Sequence, residues 1–340
     1  MRRHGTAWHG MAWEFWVANM SIIKPHTRKT KQGEPPVKGR FAPSPTGRMH
    51  AGNIFSALVA WLIAKSQGGK IVLRIEDLDA QRSKQRYIDA VMRDFEALGL
   101  FWDEGPFFQH DREEAYESAF RMLEEKGLVY PCFCTRADLH AASAPHAGER
   151  FVYSGTCRNL DSSQRFEKSL VRTPAERLIV PDEFVEFDDC IQGRVCQNLS
   201  RECGDFVVRR SDGAYAYQLA VVVDDAEQGI TSVVRGVDLL SSTPQQMHLQ
   251  NLLGLAHPAY AHVPLLVAKD GRRLSKRNSD AELDALIARF GSHRAVIGQI
   301  AGMTGLASTC DPAAPEELLH CFDPQALSES FIDKKSIVWE

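Results

Sequence analysis

The sequence predicts an α/β protein: a doubly wound parallel sheet, interrupted by an inserted subdomain and followed by a short helical segment. Strand-like and helix-like segments alternate over residues 38–130, and the alternation returns over residues 211–290. Between them, residues 131–210 have weak periodicity and contain Cys, Pro, Gly and Ser, as expected of an insertion. Alternating strands and helices favour a parallel sheet with right-handed crossovers. The remaining divisions are a leader at residues 1–37 and a short helical C-terminal segment at residues 291–340.

Four consecutive segments predict the first half of the sheet. A short strand over residues 37–41 meets a loop whose prolines and glycine forbid a helix. Apolar residues then recur at helical spacing over residues 50–66, until a Gly-Gly pair ends the helix. Residues 70–75 have the pattern of a buried strand, and residues 82–99 that of an amphipathic helix ending at a glycine.

The second half of the sheet is predicted after the insertion. The apolar run at residues 215–223 suits a central strand, and a further strand is expected at residues 232–235. A helix is expected over residues 243–253. Helical patches follow at residues 282–289 and 295–303 before prolines interrupt the pattern.

The composition is that of a globular protein without membrane spans. Apolar residues make up 44% of the chain, and no stretch approaches the roughly 18 apolar residues that a span needs. The 40 Lys and Arg against 44 Asp and Glu give a formal charge of −4, so a nucleic-acid partner would have to meet a local basic patch. The eight cysteines lack the spacing of a secreted disulfide scaffold, which favours a reducing cytoplasm.

The leader is predicted to be disordered. From residue 21 to residue 38 it is polar, basic and proline-containing, a composition that buries too little apolar surface to become ordered. No cleavage signature follows the Trp-rich start, so a signal peptide is not expected, and Met20 is a candidate for the true first residue.

The loop over residues 40–53 runs from a predicted strand into a helix N-terminus. Free N–H groups and the positive end of the helix dipole favour phosphate binding there. His50 can hydrogen-bond a phosphate oxygen, and Gly52 lets a nucleotide approach the backbone closely. A His-x-Gly at a helix start taken alone fits capping or packing more readily, so the functional interpretation depends on the whole stretch.

This whole stretch resembles the HIGH region of glutamyl-tRNA synthetases, and further motifs follow in the family order over roughly residues 38–290. The matching segments are Arg-Phe-Ala-Pro-Ser-Pro-Thr-Gly at 40–47, His-Ala-Gly-Asn at 50–53, Leu-Arg-Ile-Glu-Asp-Leu-Asp at 73–79, Trp-Asp-Glu-Gly-Pro at 102–106, Arg-Gly-Val-Asp-Leu-Leu at 235–240 and Leu-Ser-Lys at 274–276.

The resemblance implies a Rossmann-like class I synthetase catalytic domain, a ligase that uses ATP with Mg²⁺. Two positions depart from the family pattern: Asn53 stands at the second histidine of HIGH, and Arg273 stands where the KMSKS-like motif begins with Lys. The catalytic groups that the resemblance implies, His50 and Lys276, are both present. The residues assigned to ATP are His50, Gly52, Asn53, Ser275 and Lys276.

The KMSKS-like loop is strongly basic. Five of the nine residues at 269–277 are Lys or Arg, and they flank an Asp-Gly pair. Such a loop can close over a triphosphate, where electrostatic stabilisation matters most in the transition state. The alternative for a charge run seen alone is a solvated basic hairpin.

The resemblance also implies the amino-acid site. The residue matching Glu76 binds the ammonium group, and those matching Arg40, Tyr217 and Arg235 hold the carboxylates. An anionic side chain needs guanidinium partners, which bind it in bidentate geometry. Without the resemblance, the two arginines would be surface ion pairs and Tyr217 a core aromatic. The residues assigned to the amino acid are Arg40, Ala42, Ser44, Glu76, Tyr217 and Arg235.

Three cysteines at the start of the insertion form a candidate zinc site. Cys132, Cys134 and Cys157 could bind Zn²⁺ with one further ligand, although this spacing alone favours simple buried thiols. Related synthetases of this branch carry a structural zinc at C-x-C and Y-x-x-x-C, which implies Tyr153 as the fourth ligand. Because tyrosine is an uncommon zinc ligand, two histidines of the intervening loop, His140 and His146, are alternatives.

The segment after the KMSKS-like loop is short. Only residues 278–340 follow, whereas glutamyl-tRNA synthetases continue with a sizeable helical anticodon-binding domain. The shortened form resembles the branch that attaches L-glutamate to the modified base queuosine, so the expected partner is the anticodon stem-loop of tRNA(Asp) and the expected state a monomer. Ordinary charging of tRNA(Glu), a nucleotidyltransferase and a catalytically silent tRNA-binding paralogue are the alternatives.

Overall fold

A computed structural model describes residues 36–135, 138, 152–272, 274 and 282–339, so most of the expected leader lies outside the described residues. The first half contains β1 (Lys38–Phe41), α1 (Ala51–Ser66), β2 (Lys70–Ile75), α2 (Gln85–Ala97), β3 (Glu104–Phe108) and α3 (Glu113–Glu125). The inserted part contains β4 (Val129–Cys132), α4 (Ser162–Ser169), β5 (Ala175–Leu178), β6 (Phe184–Asp189), β7 (Gly193–Asn198), α5 (Leu199–Glu202) and β8 (Phe206–Arg209).

The remaining elements complete the sheet and form the C-terminal part. They are α6 (Tyr217–Glu227), β9 (Ser232–Gly236), α7 (Thr243–Leu253), β10 (Ala259–Val263), β11 (Leu265–Val267), α8 (Leu283–Phe290), α9 (His293–Thr304), α10 (Pro315–Leu318), α11 (Pro324–Phe331) and β12 (Ser336–Val338).

The central sheet consists of two parallel groups that meet at β1. Strands β1, β2 and β3 pair in parallel, as do β9 and β10. The backbone N–H of Thr231 donates to the carbonyl of Lys38 at 2.9 Å, and Lys38 N–H donates to the Thr231 hydroxyl at 2.8 Å. The strand order is therefore β3-β2-β1-β9-β10. Since the chain continues from β1 to one side and from β9 to the other, the topological switch point lies between these two strands.

Helix α1 is the centre of the main core. Eleven of its residues are buried, and they include Ile54, Phe55, Leu58 and Leu62, which have no exposed surface. A helix that is apolar on all sides is stable only when other elements surround it. Its burial fixes the helix axis, and thereby places the N-terminal residues of α1 at the mouth of the switch point.

Most of the elements predicted from sequence are present. The predicted strands at residues 70–75 and 232–235 correspond to β2 and β9, and the predicted helix at residues 243–253 is α7. The two C-terminal helical patches are α8 and α9. These segments have either an unambiguous period or a clear capping residue at each end.

The strand expected at residues 215–223 is wrong. Helix α6 begins at Tyr217 and continues to Glu227, and the apolar run from Leu219 to Val223 is buried on it. A short continuous apolar run does not distinguish a strand from a buried helix by periodicity. The valines favour a strand locally, but burial of the helix among its neighbours, which include α3 and α7, overrides that preference.

The inserted part is built from short antiparallel strands. Strands β4, β5 and β8 form one sheet, and β6 and β7 form a separate hairpin. The turn of this hairpin reaches the main sheet, because the N–H of Cys190 donates to the carbonyl of Tyr260 in β10 at 2.8 Å. The insertion and the α/β part are thereby in direct contact.

The C-terminal residues cover one side of α1 and also contribute a strand that the sequence did not indicate. Strand β12 pairs in parallel with β11, which follows β10 along the chain. Phe331 of α11 packs edge-on against Phe55 of α1, with ring centroids 5.8 Å apart. Within the described part of the chain, no helix has the length and apolar character needed to cross a membrane.

Candidate active site

A cleft of about 470 Å³ opens at the carboxyl ends of β1, β2 and β9. Ligands of open α/β sheets bind at this edge, at the switch point, and the volume is typical of a small-molecule site. The structure brings nine of the residues assigned from the sequence into the lining of this one cleft: Arg40, Ala42, Ser44, His50, Gly52, Asn53, Glu76, Tyr217 and Arg235.

The N-terminus of α1 forms one wall of the cleft. His50 is the N-cap residue and is buried, with extended backbone dihedrals. The Asn53 side-chain oxygen accepts the backbone N–H of His50 at 3.4 Å. Asn53, which stands where the family motif has its second histidine, therefore helps to cap the helix. A Cβ atom at Gly52 would lie 3.2 Å from the His50 ring, which means that glycine leaves room for the imidazole.

The loop between β1 and α1 is fixed at both ends by contacts to other elements. The N–H of Glu76 donates to the carbonyl of Pro43 at 3.0 Å, which holds the loop beside the end of β2. The Arg48 guanidinium bridges Asp94 of α2 at 3.1 Å and Asp284 of α8 at 2.8 Å. These contacts keep the segment around Ala42 and Ser44 at the cleft rather than in solvent.

Ser275 and Lys276, the two residues assigned to ATP in the KMSKS-like loop, lie outside the described residues. The chain on either side of them is described. Leu274 lines the cleft. On the other side, Glu282 forms a β-bridge with His50, and the N–H of Leu283 donates to the carbonyl of Met49 at 3.0 Å. Both flanks of the loop therefore lie next to the start of α1.

Arg40 and Glu76 share a buried ionic network at the base of the cleft. The Arg40 guanidinium donates to the carbonyl of Val234 at 3.1 Å and lies 3.4 Å from a carboxylate oxygen of Asp225. Arg74, which has no exposed surface, donates to the same Asp225 oxygen at 2.8 Å and to Glu76 at 3.3 Å. Asp225 therefore fixes both arginines relative to each other.

Burial and the neighbouring charges act in opposite directions on the two carboxyl groups of this network. Burial raises the pKa of the Glu76 carboxyl above its ordinary value, with Arg74 and Arg40 opposing that rise. Burial also acts to raise the pKa of Asp225, but the same two arginines hold it below the ordinary value. The difference follows from position, because Asp225 lies between the arginines, whereas Glu76 contacts Arg74 at 3.3 Å.

Arg235 is held on its inner side by the protein and reaches the cleft on its outer side. Its Nε donates to Nε2 of His262 at 3.0 Å, and its Nη2 donates to the Thr243 hydroxyl at 2.9 Å. Its Nη1 lies 3.4 Å from the hydroxyl of Tyr217, where α6 begins. Tyr217 therefore lines the cleft and contacts Arg235, and burial raises the pKa of its phenol.

Sequence reasoning gave no role to Arg74, Asp225 or His262. A signal existed for the first two, because an arginine inside a buried strand and a carboxylate pair after a valine run need partners to be stable. The identity of those partners was not readable, since Arg74 and Asp225 are 151 positions apart.

Comparison with known proteins agrees with this geometry. Residues 36–333 match the family model for the catalytic domain of class I tRNA synthetases for Glu and Gln. A glutamyl-Q tRNA(Asp) synthetase of Symbiobacterium thermophilum is 45% identical over 298 residues, which is 84% of this chain and 92% of that protein. The corresponding protein of Cupriavidus metallidurans is 47% identical over 270 residues, covering 77% and 86%.

This chain belongs to the glutamyl-Q tRNA(Asp) synthetase family. It is an aminoacyl-tRNA-type ligase with the class I catalytic fold. The fold is also that of a glutamate-tRNA synthetase of Elizabethkingia anophelis, with a TM-score of 0.75 and 26% identity over 90% of this chain and 68% of that one. A glutamate tRNA ligase of Elizabethkingia meningosepticum, solved in complex with its amino acid, is equally similar, with a TM-score of 0.75.

The cysteine cluster of this family member lies apart from the cleft. The sulfur atoms of Cys132, Cys134 and Cys157 all lie within 4.8 Å of one another, and those of Cys134 and Cys157 are 3.6 Å apart. The Tyr153 hydroxyl lies 3.3 Å from the sulfur of Cys132 and 3.7 Å from that of Cys134. The four residues assigned to zinc from the sequence are therefore brought together, whereas His140 and His146 lie outside the described residues.

The three sulfur atoms could hold a metal ion, and the spacing of the closest pair is near that of a tetrahedral zinc site. Tetrahedral Zn–S bonds of about 2.3 Å place sulfur atoms roughly 3.8 Å apart. The close approach of the Tyr153 segment depends on Gly204, where a Cβ atom would lie 2.6 Å from the Tyr153 carbonyl. Arg177 stacks 3.8 Å above the Tyr153 ring and fixes its plane. Three thiols and a phenol would serve as the four ligands.

Proposed function

We propose that this protein activates L-glutamate with ATP as glutamyl-adenylate and transfers the glutamyl group to the queuosine base of tRNA(Asp). The observation that carries the proposal is the single cleft in which Arg40, Arg235 and Glu76 lie beside the helix start at His50. The relatives that the chain matches along most of their length have names consistent with this reaction.

The charge of the cleft suits glutamate. Of the side chains assigned to the amino acid that line the cleft, two carry guanidinium groups, Arg40 and Arg235, and one carries a carboxylate, Glu76. These three groups therefore offer two cations and one anion to a ligand. Free glutamate has the complementary set, with two carboxylates and one ammonium group. Buried charges are stable only when paired in this way.

The polarity of each group determines which end of the substrate it binds. Glu76 accepts the ammonium group, while Arg40, Tyr217 and Arg235 bind the carboxylates. Glutamine has nearly the same shape, but its NH₂ group would face guanidinium donors and leave one guanidinium group without an anionic partner from the substrate. A mismatch of this kind in a hydrogen-bonding site rejects an analogue by several kcal/mol, about 10⁴-fold or more. Glutamine is therefore expected to be a very poor substrate.

In the activation step, the α-carboxylate of glutamate attacks the α-phosphorus of ATP and pyrophosphate leaves. His50 and Lys276 stabilise the developing charge, the first from the helix start and the second from the loop whose flanks lie there. Ala42, Ser44, Gly52, Asn53 and Ser275 complete the substrate-binding walls. Mg²⁺ would be held mainly by ATP oxygens and water, as this ion prefers, and it would neutralise phosphate charge.

In the transfer step, a hydroxyl of the queuosine ring attacks the mixed anhydride and AMP leaves. Positioning and electrostatics suffice for this step, because the adenylate is already activated.

We propose the anticodon stem-loop of tRNA(Asp) as the RNA partner. We also propose that residues 38–130 and 211–290 form the catalytic domain and that the protein is a monomer. No disulfide joins any of the eight cysteines, all of which lie within the described residues, and this supports a reducing cytoplasm.

The cysteine cluster is proposed to hold one structural Zn²⁺. Cys132, Cys134, Cys157 and Tyr153 would bind the ion and join β4 to the segment before α4. The ion would supply folding energy to the insertion, in which a small apolar cluster surrounds these residues. No step of the reaction passes through it.

The test is charging with labelled glutamate. Queuosine-modified tRNA(Asp), unmodified tRNA(Asp) and tRNA(Glu) are compared, and only the first is expected to become labelled. Labelling of tRNA(Glu) alone would identify an ordinary glutamyl-tRNA synthetase. Absence of glutamate-dependent pyrophosphate exchange would mean that the protein does not activate glutamate, as both the nucleotidyltransferase and the silent-paralogue alternatives predict.

A further inference from the structure

A buried carboxylate–imidazole pair stands behind Arg235, outside the lining of the cleft. Asp189 ends β6 in the inserted hairpin, and His262 lies in β10, paired in register with Arg235 of β9. Oδ2 of Asp189 lies 2.5 Å from Nδ1 of His262, and neither side chain has exposed surface. Nε2 of the same imidazole accepts from Nε of Arg235 at 3.0 Å.

The hydrogen bonds determine which ring nitrogen carries the proton. Because an arginine has only donors, Nε2 of His262 must be the unprotonated acceptor, and Nδ1 must carry the proton and donate it to Asp189. Burial lowers the pKa of His262, with Asp189 opposing that change, which is consistent with a neutral ring. The other groups facing the ring are the Thr243 hydroxyl at 3.3 Å and the ring of Tyr260 at a centroid distance of 6.2 Å.

Asp189 is itself fixed by the backbone of two elements. Its Oδ1 accepts the N–H groups of Ile191 at 3.0 Å, Gln192 at 2.8 Å and His262 at 3.1 Å. The carboxylate is therefore oriented by the hairpin turn before it contacts the imidazole. The side chain of Gln192 adds a bond to the carbonyl of His262 at 2.9 Å, which ties the same turn to β10.

We infer that Asp189 and His262 are positioning residues for the amino-acid site, in that they select the imidazole tautomer that holds the guanidinium of Arg235 facing the cleft. With Nε bound to His262 and Nη2 bound to Thr243, only one edge of the guanidinium remains directed at Tyr217 and the substrate. This inference rests on the proposed function, since it concerns glutamate binding. It also makes the docked hairpin of the insertion a requirement for that binding.

The substitution Asp189→Asn tests the tautomer with little change in shape. The amide oxygen still accepts the three backbone N–H groups, but the amide nitrogen now donates to Nδ1 of His262. The ring must then carry its proton on Nε2, which opposes the Nε–H of Arg235 and turns the guanidinium away. We expect KM for glutamate in pyrophosphate exchange to rise about tenfold or more, with KM for ATP within about twofold of wild type.

Two further variants separate positioning from stability. His262→Gln retains an acceptor that can reach Arg235, so adding it to Asp189→Asn should restore most of the glutamate KM. Asp205→Asn is the matched control, since Asp205 is another buried carboxylate of the insertion that accepts a backbone N–H, from Val180, and a side-chain donor, Tyr130. It should leave both KM values near wild type.

Nitrogen-15 NMR of the histidine rings gives a readout independent of activity. The wild-type protein should show a neutral Nδ1–H ring that disappears in His262→Gln and becomes an Nε2–H ring in Asp189→Asn. A wild-type Nε2–H tautomer, or an unchanged glutamate KM in a folded Asp189→Asn protein, would overturn the inference. If wild type shows no glutamate-dependent exchange, the proposed function fails instead. The tautomer assignments then still decide whether Asp189 selects the tautomer of His262.

Discussion

The two walls of the cleft are held in place by different kinds of contact. Around Arg40, Glu76 and Arg235, every charged side chain has buried partners of opposite charge or hydrogen-bonding polarity. Around His50, the wall is a helix start and the flanks of a loop joined by backbone contacts. The first wall holds charged groups in place for the amino acid before reaction, whereas the second carries the groups assigned to the phosphates, where charge develops in the transition state. Substitutions in the first wall should therefore change binding, and those in the second should change rate.

The largest expected effect is on the loop wall. Lys276→Ala should lower kcat for glutamate-dependent pyrophosphate exchange by about 10²- to 10³-fold, because a phosphate-binding cation contributes mainly in the transition state. Circular dichroism and thermal unfolding should match wild type. The control is Lys70→Ala, which removes an exposed lysine paired with Glu104. Exchange at the wild-type rate in Lys276→Ala would remove this residue from the mechanism.

Arg235→Gln tests the opposite wall. It should raise KM for glutamate by about 10- to 100-fold, since a hydrogen bond to a charged group contributes about 1.5–3 kcal/mol, and change KM for ATP by no more than about twofold. Arg194→Gln is the matched control, because Arg194 pairs with Glu186 on the exposed hairpin, where such pairs contribute little. An equal rise in both KM values would mean that the two walls are not separate.

The difference between the walls also explains what the sequence could reveal. Helix α1 and the loop before it are local: an apolar repeat, prolines and a Gly-Gly pair lie within thirty or so residues and could be interpreted directly. The groups that fix Arg235 are not local, since Asp189 and His262 are 73 positions apart. Buried hydrogen-bonded pairs of this kind are made by the tertiary fold, so their members look like ordinary polar residues in one sequence. Only the motif resemblance directed attention to Arg40, Tyr217 and Arg235.

The cysteine cluster provides a third region for comparison, one that should affect stability without affecting the binding of either substrate. Cys132→Ser should abolish stoichiometric zinc and lower Tm by about 5 °C or more, because a structural zinc contributes folding free energy directly. Cys196→Ser is the control, since Cys196 is exposed and outside the cluster. Protein purified without chelator and found to contain no zinc would exclude the metal site.

The smallest effect expected is a pH dependence of glutamate binding that originates at Glu76. The ammonium group of glutamate needs this carboxyl in its ionised form. Burial raises the pKa of Glu76, against the opposing charges of Arg74 and Arg40 and with Asp225 adding to the rise. The ionised fraction is therefore lost at a higher pH than for an ordinary glutamate, whose pKa is about 4.3.

Glutamate binding should accordingly weaken as the pH falls, beginning above that ordinary value, with Kd rising by at most about tenfold per pH unit once Glu76 is mostly protonated. Isothermal titration with glutamate alone, at a series of pH values at which the protein remains folded, measures this without the chemical step. In Glu76→Gln the affinity should be low at every pH and the dependence flat. A Kd that stays constant in wild type down to the ordinary glutamate range, or an equal slope in Glu76→Gln, would assign the ammonium site to another group.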